Sequence, residues 1–266
     1  MKPCLSRVMC SPTRSAVIAV PWLAPYEPNR PSLGQRLNPP GAEHWFGTDH
    51  YGRDVLSRTI WGARTSLLVG VGAVTLGAAV GVLLGLIAGF FGGRIDSFIA
   101  RVIDVLLAFP LLLLALCLVA VLGTSIWNVI IAAGVSTIPQ FARVVRGSVM
   151  SIRELDYVSA SRALGALRWR TLFRHVLPNA AAPIIVMATL YMATVVILEA
   201  NLGFLGFGIQ PPDPSWGSIV NDGRGYLQNA VWVAGFPSAV ITLTVLALNL
   251  LGDALRDVLD PKVRER

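Results

Sequence analysis

Charge is the scarcest commodity in this 266-residue chain. Only 14% of its residues are Asp, Glu, Lys or Arg, against 54% hydrophobic ones. Soluble domains carry roughly 25% charged residues, so a water-soluble fold of this size has too little polar surface to cover its core. Intrinsic disorder and a long coiled coil fail on the same composition. Lysine is nearly absent: Lys2 and Lys262 are the only two. Neither follows a Gly-x-x-x-x-Gly run, which excludes a Walker A phosphate loop and ATP hydrolysis of that kind. There is no GxSxG, HExxH or EF-hand pattern. The three cysteines, Cys4, Cys10 and Cys117, form no CxxC and no paired framework, so we read them as unpaired thiols. His44 and His50 flank Asp49 at a spacing poorly suited to metal ligation, which favours loop roles; no metal site is expected.

What is present is long uncharged runs, and these make an all-α integral membrane protein the expected class. Ser66–Gly89 can cross a hydrocarbon core of ~30 Å at ~1.5 Å per residue. The charge-free run from 105 to 142 is too long for one crossing, and Gly123-Thr124-Ser125 divides it into Val105–Leu122 and Ile126–Phe141. Pro183–Leu202 and Val231–Leu251 complete five spans, with Pro237 as an expected kink in the last. Ala16–Ala24 is apolar but too short for an ordinary span. It leaves 1–24 as a degenerate first segment, an interfacial or re-entrant stretch, or the product of a misplaced start. Residues 25–64 are polar and rich in proline. They read as an ordered extracytoplasmic loop followed by a short surface helix with Leu56, Ile60 and Ala63 on one face.

Positive charge orients the spans. Sixteen of the 22 basic residues fall in the N-terminus, the 94–101 turn, the 143–178 loop and the tail, and six in 25–64 and 206–230. The larger group marks the cytoplasmic side, and the pI near 9.9 is thereby assigned to membrane topology rather than nucleic acid. Within the 143–178 loop, Ser151-x-x-Glu154 has the form of a capping box opening a helix. Gly165 suits a left-handed stop. A second helix then places Trp169, Leu172, Phe173 and Val176 on one face and Arg170 and Arg174 on another, with Pro178 expected to end it. Such a helix pair fits either lipid headgroups or a docked cytoplasmic protein. Gly77, Gly81, Gly85 and Gly89 repeat every fourth residue along one ridge of the first span. That suits close helix packing within the subunit, or an interface with a second subunit or a moving gate surface. Asp104 is placed to pair with Arg101. Glu199 is the most deeply embedded acid and is either functional or an interface residue.

Several segments, in order, resemble one family. They are Leu23-Ala24-Pro25-Tyr26, His44-Trp45-Phe46-Gly47-Thr48-Asp49, Gly52-Arg53-Asp54-Val55-Leu56-Ser57-Arg58, Ala108-Phe109-Pro110, Tyr157 to Gly165, Phe173 to Asn179, Gly203 to Gly208, Pro211-Pro212, Pro214-Ser215-Trp216-Gly217, and Leu251-Gly252-Asp253 to Asp260-Pro261. The chain is similar in these to permeases of ATP-binding-cassette importers, and most to the C-type permease subunit of the dipeptide, oligopeptide and nickel group. The resemblance implies a type I importer permease bundle in the plasma (inner) membrane, not itself catalytic. It implies a transmembrane domain over 65–254 with a tail at 255–266, and a coupling (EAA) loop over 143–179. In that loop Tyr157, Ala160, Arg162, Ala163, Leu164, Gly165, Leu177 and Pro178 would meet the ATPase. It further implies a second, B-type permease, one or two cytoplasmic ATPase subunits holding ATP and magnesium, an extracytoplasmic binding protein and a peptide substrate. This chain itself would bind no cofactor and no nucleic acid. Two departures stand out. The usual Glu-Ala-Ala start reads Ser159-Ala160-Ser161, with Glu154 and Asp156 the nearest acids, and the full helix that precedes Ala-Pro-Tyr in the family is reduced to a fragment.

Overall fold

The computed structural model describes residues 24–259; the expected degenerate segment at 1–24, Ala24 apart, and most of the tail lie outside that range. The elements are α1 (Val55–Phe91), α2 (Gly93–Leu107), α3 (Leu111–Leu122), α4 (Ile126–Arg153), α5 (Asp156–Ala163), α6 (Arg168–Phe204), α7 (Trp216–Gly223) and α8 (Trp232–Leu259). Four of them, α1, α4, α6 and α8, are long and apolar enough to cross a membrane, and the bent pair α2–α3 makes a fifth candidate. Large apolar side chains such as Leu83, Leu113, Ile131, Leu243 and Leu246 stand exposed on the bundle. A surface of that kind is stable against lipid tails and not against water.

The spans differ from their sequence boundaries for identifiable reasons. The expected surface helix near 55–64 is the beginning of α1 and is continuous with the first span. Asp54 starts it: its Oδ2 accepts from Ser57 N (2.7 Å), an N-cap that satisfies one free donor. The run expected as one helix over Val105–Leu122 is broken. Pro110 lacks an N–H and disfavours helical geometry at Phe109, so α2 stops at Leu107 and α3 starts at Leu111, 88° away. Twelve residues of α3 span only about 18 Å. Helix α2 enters from Gly92 and Gly93, both with positive φ (66° and 59°). It buries Ile103 alone and leaves Ile95, Phe98, Val102 and Val105 exposed. Gly123 (φ 92°) and Ser125, whose hydroxyl caps α4 through Asn128 N, form the expected turn.

α1 and α4 run parallel. A Cβ on Gly81 would fall 2.6 Å from Phe141 Cβ, one on Gly85 2.8 Å from Val145 Cβ, and one on Gly89 2.9 Å from Val149 Cβ. Gly77 sits in the same way against Thr137. Each glycine therefore faces the residue sixty positions later, a constant offset that two antiparallel helices cannot produce. α6 runs the other way against α1: Gly70 meets Met192 and Val196, whereas Leu86 and Phe90 share a cluster with Leu172 and Val176. The main core joins α1, α3, α4 and α6 through Val69, Ala73, Val119, Val129, Phe141 and Leu198, among others. The 25–54 segment and α7 meet the start of α1 at one end, where Trp232 Nε1 donates to Thr48 O (3.2 Å) and Phe46 stacks on Phe236 (4.2 Å). At the opposite end lie α2, α5 and the start of α6.

Candidate functional site

Helix α4 does not stop at a capping box. Ser151 lies inside it and its hydroxyl donates to Gly147 O, so the expected helix start there is a helix interior. The chain turns at Glu154 and enters α5 at Asp156. Glu154 accepts from Arg153 Nε (2.9 Å), and Arg153 Nη1 also donates to Gly89 O (2.8 Å), which ties the root of the loop to the end of α1. α5 ends as its glycine requires. Gly165 has φ 79°, and Ala166 N donates to Ser161 O (3.1 Å), closing a Schellman-type stop. A Cβ at Gly165 would meet nothing within 4 Å, so its constraint is backbone conformation and not space.

Helix α6 then begins at Arg168. Its first turns divide their apolar face: Leu172 and Val176 are buried against Leu86, Phe90, Val145 and Val149, whereas Trp169 and Phe173 are exposed, and Trp169 packs edge-on to Phe91 (5.0 Å). Pro178 does not end this helix. A π turn over Leu172–Val176 adds a residue to the register immediately ahead of it, with Leu177 N donating to Leu172 O, and the helix continues to Phe204. Leu164 is 89% exposed and Leu167 77% exposed. With Tyr157, Trp169 and Phe173 they form an apolar rim around the glycine turn, interspersed with Arg168, Arg170 and Arg174. Ala160 and Ala163 are exposed on α5, Val158 is buried, and Leu177 is half-buried beneath. Such a rim is suited to receive a protein surface with apolar pockets and acidic groups.

At this same end α4 holds α2 by ion pairs. Arg146 grips Asp96 with two bonds (2.5 and 2.7 Å), and Arg143 Nη2 reaches Asp104 (2.6 Å). The expected Asp104–Arg101 pair is thus replaced by a partner from another helix. The spacing of Asp104 to Arg143 in sequence carries no signal of it.

Glu199 reaches no interface. It is fully buried, and Ser66 Oγ donates to its Oε2 (2.8 Å). Ser66 in turn accepts from Trp216 N (3.2 Å), and Trp216 Nε1 donates to Thr59 O (3.0 Å). The acid thus fixes the N-terminus of α7 between α1 and α6, where Gly203 and Gly217 allow the backbones to touch. Beyond it lies a charge cluster to which the sequence pattern gives no role. Asp49 Oδ1 accepts from Tyr51 N (2.8 Å) and Arg53 N (2.9 Å), and Oδ2 from Arg53 Nε and Arg58 Nη1 (2.6 Å each). Burial opposes its charge, yet Arg53, its backbone N–H and Arg58 outweigh that and hold the carboxyl below the usual range. The Asp49–Arg53 spacing was readable; Asp222, which joins both arginines from 164 and 169 residues away, was not. His44 contacts Asp54 (2.9 Å) and Gln35 (3.1 Å), a loop role. Among the described residues no group of three or more His, Cys, Asp or Glu could hold a metal.

Residues 81–265 match the family described as binding-protein-dependent transport system inner membrane component. The chain is 48% identical over 239 residues to the dipeptide transport system permease protein DppC of Alkalihalophilus pseudofirmus, covering 90% of this chain and 78% of that protein. It is 42% identical to a probable D,D-dipeptide transport system permease protein of Escherichia coli K12 (92% and 83% covered). It is 48% identical to a glutathione transport system permease protein of another Escherichia coli strain (91% and 80%). In three dimensions it resembles a chain of the inward-facing MetNI methionine ABC transporter, with a TM-score of 0.63 at 18% identity over 77% of this chain and 96% of that one. That likeness is one of fold, and it is the type I permease bundle.

Proposed function

The chain belongs to the family of binding-protein-dependent transport system inner membrane components, and on that premise we propose that it is one of two permeases lining an ATP-driven path for short peptides into the cell. Dipeptide, D,D-dipeptide and glutathione relatives at 42–48% identity favour a peptide substrate of few residues. The partner permease, the binding protein and the ATPases, with their ATP and magnesium, are separate subunits.

The observation that carries the reading is the apolar, arginine-flanked rim around Gly165. A chain without a phosphate loop needs a surface through which an ATPase acts on it, and α5 with the first turns of α6 is that surface. α5 adjoins α4 directly, and α6 enters the core through Leu172 and Val176. A push on the rim therefore reaches α4 and α6, two of the helices packed on α1. The test is Gly165→Val. A β-branched residue at φ 79° costs roughly 1–2 kcal/mol, and the cost falls in the loop alone. The variant should insert and accumulate normally while ATPase association or ATP-driven uptake falls. Uptake and association both at the parental level would refute the role. Should that variant not accumulate, Arg170→Glu with Arg174→Glu probes the same rim from its exposed face.

A further inference from the structure

The arginine pair at the α7 end has hydrogen-bond capacity its acids leave unused. A guanidinium carries five N–H donors. Arg58 is 4% exposed, directs Nη1 to both Asp49 and Asp222, and leaves Nε–H without a partner. Arg53 and Arg58 both line a cavity of about 370 Å³, beside Gln210, Ser218, Asn221 and Asp222.

The two acids on this pair are held very differently. Asp49 is 0% exposed, and both its oxygens are filled by bonds of 2.6–2.9 Å, two of them from backbone N–H groups. It is part of the scaffold. Asp222 is 31% exposed and contributes one oxygen at 3.1 and 3.2 Å. It borders the cavity from α7. A carboxylate that is partly solvated and long-bonded is the one that can be exchanged.

We propose that Arg53 and Arg58 form a carboxylate-binding site in which Asp222 is an exchangeable resident. Charge selects the ligand class. Asp222 and Asp213 border the cavity with the two arginines, and the buried Asp49 is bonded to both arginines from outside its lining, so three carboxylates stand against two guanidiniums, a formal excess of one negative charge. A single carboxylate that takes the position of Asp222 on the arginines restores the charge that Asp222 supplied, whereas a phosphate dianion in that position adds one further negative charge to a site already in excess. Gln210, Ser218 and Asn221 offer further polar contacts around it. The proposal rests on the transport reading for its two sources: the C-terminal carboxylate of a peptide, or an acidic side chain of the binding protein.

The experiment is dicarbonyl labelling of Arg53 with phenylglyoxal in the assembled transporter, read by mass spectrometry in the parental protein and in Asp222→Asn. Removing the resident charge should raise Arg53 labelling several-fold, and a competing carboxylate should return it to the parental level. Suppression by dialanine but not by dialanine amide assigns the site to the substrate. Suppression by peptide-free binding protein assigns it to an acidic side chain of that protein. Binding protein that associates with the complex and leaves labelling unchanged, together with no effect of dialanine, overturns the proposal. A binding protein that does not associate at all speaks against the transport reading instead, and the dialanine pair then decides the site alone.

Discussion

Replacing Gly85 by alanine isolates what the glycine ridge contributes. The added Cβ would lie 2.7 Å from Ala142 O, 2.8 Å from Val145 Cβ and 2.9 Å from Arg146 N. Ordinary van der Waals contact begins near 3.4 Å, so the nearest approach is about 0.7 Å short. Two of the three atoms are backbone, and no rotamer change removes them. α1 and α4 must therefore separate, which also loosens the contacts at Gly81 and Gly89 on the same ridge. Overpacking of this kind costs about 1–3 kcal/mol, a factor of about 5–150 in the ratio of folded to unfolded protein. Gly147→Ala is the control. It lies on α4 with nothing within 4 Å, and alanine there should be neutral or gain about 0.5–1 kcal/mol of helix stability. Unfolding by sodium dodecyl sulfate in mixed micelles, followed by tryptophan fluorescence, should give a lower midpoint for Gly85→Ala and for Gly81→Ala, and an unchanged or higher one for Gly147→Ala. If Gly85→Ala and Gly147→Ala unfold alike, the parallel α1–α4 contact is wrong.

Three further outcomes follow from specific contacts. Ser66→Ala removes the hydroxyl that donates to the buried Glu199 and should cost about 1–3 kcal/mol in the same assay, while Glu199→Gln, which keeps an acceptor, should cost less; the reverse order would refute the tie. Burial, its largest cause, depresses the His50 pKa below the unfolded value of about 6.5, so stability complete above that pH declines as pH falls toward the folded value. The lowered Asp49 pKa adds a second loss only below about 4. His50→Phe should flatten the first decline in a melting-temperature profile and leave the second, and a first decline of unchanged size would contradict the assignment. Asp96→Arg should lower stability by about 1 kcal/mol or more through loss of its two bonds to Arg146, and Arg146→Asp in the same chain should restore much of it; no recovery in the double variant would show that the pair does not hold α2.

Features set by local chemistry were legible in the chain. Apolar length located the spans, four-residue spacing located the ridge at Gly77 to Gly89, and the glycine at 165 stopped α5 where a left-handed residue is needed. The misplaced boundaries have a common cause. The uncharged run Ser66–Gly89 begins after the arginines at 58 and 64, but the helix does not: Arg58 sits inside α1 because Asp49 and Asp222 neutralise it. Hydropathy alone cannot register a partner supplied by another segment. The same holds for Arg143 and Arg146, which stay helical within α4 because α2 supplies Asp104 and Asp96.

The proline errors were of another kind. Pro110 breaks a run that reads as uniformly apolar, and Pro178 leaves intact a helix that its missing N–H is expected to end. Whether a proline stops a helix depends on the register just before it. At 172–176 the π turn accommodates the ring; at 108–110 the chain instead turns through 88°. Glu199 shows a limit of sequence placement: its depth was readable, but its pairing with Ser66 and, through it, the seating of α7 depend on three helices meeting.

ATP-driven uptake by a defined assembly is the most direct test of the whole account. The chain should be reconstituted in proteoliposomes with its partner permease and ATPases, with binding protein and a labelled dipeptide on the outer face. Accumulation should require this chain and ATP on the ATPase side, and should be indifferent to collapse of a proton gradient. Accumulation that persists without ATP or without the ATPases, and that follows an ion gradient, would contradict it.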